Sequence, residues 1–144
     1  MFKITRDVLD PQALVSDLTK DTDGAILTFV GVVRKQSRGK EVLYLEYEAY
    51  EEMAEKVLAE IGDEVKARWP IGQIAIHHRI GRLEIGEASL LVVVTSPHRK
   101  EAFEACHHAV ERIKQILPMW KKEVWEDGSS WIEGDELASQ RLPS

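Results

Sequence analysis

Cysteine is almost absent from this chain. One residue, Cys106, in 144 rules out a disulfide framework and points to a reducing compartment, the cytoplasm. Long apolar runs are missing too, and no N-terminal stretch reads as a secretory signal, so neither a membrane nor an export route is expected. Basic residues are outnumbered, 19 Lys and Arg against 25 Asp and Glu, and the resulting net charge of −6 argues against nucleic acid as the partner. No GxSxG, P-loop or GxGxxG pattern occurs, which removes the carriers of the hydrolase, nucleotide-phosphate and dinucleotide readings. HExxH and CxxC spacings are lacking as well. Of the five histidines, His77 and His78 would point to opposite faces of a strand, and His107 and His108 would diverge by about 100° on a helix, so no metal site and no cofactor is expected. There is no internal repeat. What remains, at 44% hydrophobic residues, is enough for one domain with a real core.

The stretch that organises the chain is ASLLVVVTSPHRKEAFEACHHAVERIKQILPMWKKEVW, residues 88–125. Residues 88–95 are aliphatic or β-branched without polar alternation, the pattern of a strand covered on both faces. Ser96 and Pro97 then read as N-cap and first helical residue. His98 and Arg99 fall in the first turn, where the macrodipole disfavours cations. Two readings stand for them: an anion bound at the helix start, or a pair of solvated polar residues. Along the helix, Ala102, Phe103, Cys106, Ala109, Val110, Ile113, Ile116 and Leu117 form one apolar stripe, and Pro118 ends it. Cys106, mid-stripe, reads as packed and inert rather than as a sulfur carrier. Lys114 lies about 40° from Val110, on the shoulder of the stripe. Desolvation there would favour the neutral amine of a nucleophile or base; the alternative is a snorkelling lysine whose stem covers apolar surface. Beyond Pro118 a hairpin is expected, with Lys121, Glu123 and Trp125 on one face, Trp120, Lys122 and Val124 on the other, and Asp127-Gly128 in the turn.

Ahead of this stretch the reading is a short edge strand near Phe2, a helix from Asp10-Pro11 to about Thr19, and a central strand over 25–33 ending at Arg34. The basic segment KQSRGK, with Lys35, Arg38 and Lys40, reads as a mobile loop at a site mouth or as a solvated turn. VLYLEYEAY is strand-like. A second long helix is expected over 51–69, with Met53, Ala54, Val57, Leu58, Ile61, Val65 and Trp69 inward and Pro70 after its end. Residues 72–95 read as two strands with bends at Gly81 and Gly86. Clustered cations on an acidic chain suit a small anionic substrate better than a polyanion. Three of the four tryptophans, Trp120, Trp125 and Trp131, gather at the hairpin, where a partner could dock.

SPHRKEAFEA, the ERIK end of the helix, PMWKKE and DGSSWIE, preceded in order by TFVGVVR, LEYEAY and HRIGRLEIGE, together resemble the catalytic, large subunit of molybdopterin synthase, the MoaE family, over residues 4–134. Each fragment is weak alone, and the ordered set is specific. The resemblance implies an α+β fold, an α/β-hammerhead-like single domain with a mixed or antiparallel sheet, two long helices and a C-terminal hairpin. Residues 1–134 would be the catalytic domain and 135–144 a flexible tail, with Arg141 a basic residue of unassigned role.

The activity implied is a sulfurtransferase of molybdenum cofactor biosynthesis. Sulfur from the C-terminal thiocarboxylate of a small ubiquitin-like subunit goes to cyclic pyranopterin monophosphate, forming the molybdopterin dithiolene. By resemblance Lys114 and Lys121 are the catalytic lysines. Val32, Val33, Arg34, His98, Arg99, Lys122 and Glu123 join them as substrate-binding residues. Met119 and Glu111 depart from the residues usual in the family. Two other functions compete: a non-catalytic adaptor that docks a ubiquitin-like sulfur carrier, and a stand-alone phosphate-ester enzyme. Helix geometry adds a constraint. Arg99 and Lys114, fifteen residues apart, would be separated by about 22 Å, too far to grip one pterin together. A homodimer is therefore expected, within the family's heterotetramer, in which His98 and Arg99 of one subunit approach Lys114 and Lys121 of the other.

Overall fold

The computed structural model describes residues 1–133. The tail expected over 135–144, with Arg141, lies outside the described residues. In chain order the elements are β1 (Phe2–Thr5), α1 (Pro11–Leu18), β2 (Ala25–Val32), β3 (Gln36–Ser37), β4 (Lys40–Ala49), α2 (Glu51–Arg68), β5 (Gln73–Arg79), β6 (Gly81–Glu84), β7 (Ala88–Ser96), α3 (Arg99–Ile116), β8 (Met119–Trp125) and β9 (Gly128–Glu133). The architecture is α+β, with two sheets. The first has the order β1-β5-β7-β2, antiparallel except for the parallel pair β1 and β5. The second has the order β3-β4-β8-β9, with β6 added to β4.

Strand β7 is the central element, buried on both faces as its unbroken apolar run requires. Leu90, Val92 and Val94 point into the main core against α2 and α3, with Ile74 and Ile76 of β5, Leu58, Ile61 and Val65 of α2, and Ala102, Ala109 and Ile113 of α3. Leu91 and Val93 point the other way, onto Leu14 and Leu18 of α1. That short helix starts where expected: Asp10 Oδ1 accepts from the Ala13 amide at 3.1 Å, and Pro11 takes the first turn.

Several boundaries depart from the sequence reading, each for a local reason. β2 is an edge strand, not a central one, and its burial alternates. Ala25, Leu27 and Phe29 face the core, whereas Ile26, Val30 and Val32 are exposed on the other face, where the buried cluster around α1 draws on β5 and β7 residues and not on these. Ser96 does not cap a helix by itself. Its backbone is held in the sheet opposite Ala25, and Gly24 donates to its carbonyl at 2.9 Å, so α3 begins only at Arg99 with His98 as N-cap. The Ser96 hydroxyl still accepts from the His98 amide, at 3.3 Å. The apolar stripes are narrower than their periodicity suggests. Phe103 and Ile116 of α3 and Met53 of α2 are exposed, while small residues face inward: Ala102, Ala105 and Ala109 on α3 and Ala54 on α2 join the core between the helices, and Gly62 of α2 makes room for the Phe2 ring of β1.

The basic segment is a hairpin rather than a loop. Gln36 and Ser37 pair with Glu41 and Lys40, and the turn uses Arg38 (φ 56°) and Gly39 (φ 76°), both in the left-handed region that a two-residue I′ turn demands. Residues 73–96 form three strands, not two. Gly81 and Gly86 bend the chain as expected, and between them β6 leaves the first sheet to pair with β4 in the second. The C-terminal hairpin pairs Trp125 with Gly128, so its turn is Glu126-Asp127, one residue earlier than expected.

Candidate active site

The two sheets and the C-terminal half of α3 enclose a cavity of about 430 Å³. Three structural events bring its walls together. A register shift between Gly31 and Val32 breaks the β2–β7 ladder and carries Val32, Val33 and Arg34 into one wall. Pro118 ends α3 after its last turn has presented Lys114. The chain then re-enters as β8, whose alternation points Met119, Lys121 and Glu123 at the same space.

Of the residues expected from the sequence, Val32, Val33, Arg34, Lys114, Lys121 and Glu123 line this cavity. His98, Arg99 and Lys122 do not. Lys122 lies on the opposite face of β8, its Nζ 5.7 Å from the centre of the Trp131 ring. His98 and Arg99 are exposed at the far end of α3, His98 as its N-cap and Arg99 fifteen residues from Lys114 along an unbroken helix. Lys114 is exposed, so this chain by itself does not supply the desolvation that its position on the helix suggested.

Glu123 is a buried carboxylate, 1% exposed. Two neutral donors hold it: the Ser37 hydroxyl donates to Oε2 at 2.6 Å and the Trp125 indole N–H donates to Oε1 at 3.3 Å. Ser37 comes from the β3–β4 hairpin, 86 residues away in sequence, so the bond ties that hairpin to the cavity wall. Lys40, on the same hairpin, adds a second tie, with Nζ 4.6 Å from the centre of the Trp125 ring and 3.7 Å from Asp127. These partners explain why a basic, glycine-containing segment is ordered into strands.

The sequence reading missed His78, Tyr47, Ser37 and Phe29, all of which line the cavity. The signal for His78 was present. It follows Ile74 and Ile76 at alternate positions of β5, which puts it on the inward face. Burial pushes its pKa down to about 4, and the nearby Lys114 charge acts in the same direction. The ring is therefore neutral at physiological pH. Cys106, by contrast, sits in the α2–α3 core outside the cavity lining, and burial pushes its thiol up to about 11. It is inert packing. Among the described residues no three of His, Cys, Asp and Glu converge as a metal site would need, and no helix is long and apolar enough to cross a membrane.

The cavity thus has Arg34, Lys114 and Lys121 as its lining cations, a neutral imidazole, and two carboxylates, Glu123 fixed and buried and Glu111 exposed. Such an arrangement attracts a small anion and offers it amines for covalent or proton-transfer chemistry. The family model described as "MoaE protein" matches residues 4–116, 113 of the 144. The chain belongs to the MoaE family. It is 50% identical over 143 residues to the molybdopterin synthase catalytic subunit of Bacillus subtilis, covering 99% of this chain and 90% of the relative. The protein of the same name from Halalkalibacterium halodurans is 48% identical over 142 residues, with the same coverage. In three dimensions the chain is similar to molybdopterin synthase from Staphylococcus aureus, with a TM-score of 0.87 and 46% identity, covering 91% of this chain and 96% of that one. It is also similar to a chain in the complex of subunits 1 and 2 of the molybdopterin-converting factor from Helicobacter pylori. That match has a TM-score of 0.75 and 25% identity, and covers 90% of this chain and 88% of the other.

Proposed function

We propose that this MoaE-family chain is the catalytic, large subunit of a molybdopterin synthase and works in the cytoplasm. It transfers sulfur from the thiocarboxylated C-terminus of a small ubiquitin-like subunit to cyclic pyranopterin monophosphate. The observation that carries this reading is the convergence of Lys114 from α3 and Lys121 from β8 on one cavity that Arg34 also lines. A phosphate-bearing pterin and a thiocarboxylate tail are both anions, and each needs cationic groups to hold it in an otherwise acidic protein. In this reading Lys114 engages the thiocarboxylate or the covalent intermediate. Lys121 serves as acid and base or stabilises the developing charge. Glu123, held from both sides by neutral donors, shapes the substrate-binding wall together with Val32 and Val33.

His98 and Arg99 enter through a second copy of the chain. The unbroken helix from Arg99 to Ile116 keeps them about 22 Å from the Lys114 of their own subunit, so one subunit does not complete its own pocket. The functional unit is a homodimer flanked by two small subunits, with His98 and Arg99 of one large subunit closing the site of the other. Lys122, which faces away from the cavity, acts on the surface of the hairpin rather than on the pterin.

The direct test supplies the pterin precursor and the thiocarboxylated small subunit and assays dithiolene formation. Turnover that needs the small subunit and disappears in Lys121→Ala supports the proposal. A chain that only docks a sulfur carrier would tolerate Lys121→Ala, and turnover without a protein partner would point to a phosphate-ester enzyme. The shared site is tested by mixing Arg99→Ala and Lys121→Ala chains. Activity should partly return in mixed dimers, and its complete absence in verified mixed dimers would refute the arrangement.

A further inference from the structure

The cavity holds a histidine to which the proposed reaction assigns nothing. His78 is the last inward-facing residue of β5 and is 6% exposed. Its Nδ1 lies 2.9 Å from the carbonyl oxygen of Arg79. A carbonyl can only accept, so Nδ1 carries the proton and the unshared pair of the neutral ring is on Nε2. Tyr47 packs edge-on against the imidazole, with ring centres 5.1 Å apart and planes at 66°. The ring is thereby fixed on two sides. Nε2 is not among the described buried polar atoms left without a partner, and His78 lines the cavity that Lys114 also lines.

We propose that His78 is a positioning residue for Lys114: Nε2 accepts a hydrogen bond from the Lys114 side-chain nitrogen and aims that nitrogen into the cavity. The inference rests on the reading of Lys114 as a reacting amine. The charge state of the acceptor matters here. A carboxylate in this position would pair with the lysine and repel an anionic substrate, and an imidazolium would repel the lysine. A neutral acceptor orients the lysine and leaves its charge available to the thiocarboxylate or phosphate. Burial keeps His78 in that neutral form at physiological pH. Lys114, the last basic residue of α3, has a long flexible stem, and holding it costs rotamer freedom that a fixed acceptor offsets.

Two variants and one spectrum test the assignment in the full-length chain. His78→Phe keeps a ring against Tyr47 and removes the acceptor. With the small subunit and pterin precursor present, it is expected to lower kcat about 100-fold, the scale of a misplaced reacting group, with little change in KM for the pterin. His78→Gln sets an amide near the position of Nε2 and is expected to recover most of that loss. Natural kcat in His78→Phe, or equal losses in both variants, would overturn the proposal. The spectrum does not depend on turnover. In protein labelled with ¹⁵N-histidine, the His78 ring should show a protonated Nδ1 and a hydrogen-bonded Nε2, and the Nε2 resonance should move toward that of an unbonded nitrogen in Lys114→Met. An Nε2 signal indifferent to Lys114→Met would sink the assignment even if the sulfur-transfer reading stands. If no dithiolene forms with the natural chain, that reading fails while the spectrum still decides the His78–Lys114 bond.

Discussion

Acidification should cost this fold stability through one histidine, and the size of the effect follows from its burial. The His78 pKa is depressed from 6.5 to about 4 in the folded chain, with burial as the largest cause. A depressed histidine binds fewer protons folded than unfolded between those two values, so stability rises with pH across that window. Its contribution is complete above the unfolded value and is lost as pH falls toward the folded one. Working the linkage at pH 5 against pH 7.5 gives a loss of about 2 kcal/mol from this single group. For a chain of this length that corresponds to a fall of about 4–8 °C in Tm. His77, also depressed by burial, adds a smaller contribution of the same sign. Glu64 and Glu87, whose carboxyls are held below their ordinary range chiefly by hydrogen bonds to His108 and to the Glu84 amide, lose their contributions at lower pH, alike in natural and variant chains. The assay is urea unfolding followed by tryptophan fluorescence at both pH values, for the natural chain and for His78→Phe at equal protein concentration. His78→Phe should have the flatter pH dependence by about 2 kcal/mol, whatever its absolute stability. Equal slopes in the two proteins would refute the claim that His78 is buried uncharged.

Three other outcomes follow from named contacts. Ser37→Ala removes the hydroxyl donor from Glu123 Oε2 and leaves a buried carboxylate with one partner fewer, so unfolding experiments should register a loss of about 1–3 kcal/mol. Gly62→Ala inserts a methyl group into the ring of Phe2; the clash should outweigh the better helix propensity and lower stability by about 1 kcal/mol, which a rise in Tm would contradict. Cys106, buried with its thiol pushed up to about 11, should resist iodoacetamide at pH 8 in the folded chain and react fully in urea, as mass spectrometry would show.

Much of the fold was legible in local pattern. The unbroken aliphatic run of β7, the Asp10-Pro11 start of α1, the proline stops after α2 and α3 and the glycine bends at Gly81 and Gly86 all rest on short-range sterics and hydrogen bonding, which act the same way in any tertiary context. Local pattern also brings the two lysines read from the family pattern close together. Lys114 and Lys121 lie within eight residues of each other across a proline, and helix and strand periods alone put both near the end of α3.

What local pattern could not supply was which neighbour covers which face. Whether β2 is central or at an edge depends on which strands pair with it, and β7, its ladder partner, lies far along the chain. The β3–β4 hairpin looked like a loop because its anchor, Glu123, is 86 residues away from Ser37. His78 passed unnoticed because its role comes from the Arg79 carbonyl, the Tyr47 ring and a helix end that meet only after both sheets have formed. The sequence by itself therefore determined most of the elements, their proline and glycine punctuation and the cationic character of the cavity, all set by interactions within a few residues. The tertiary structure alone decided burial, and with it which charges are fixed, which histidine stays neutral and which lysines share a cavity. Desolvation depends on atoms brought together from distant parts of the chain.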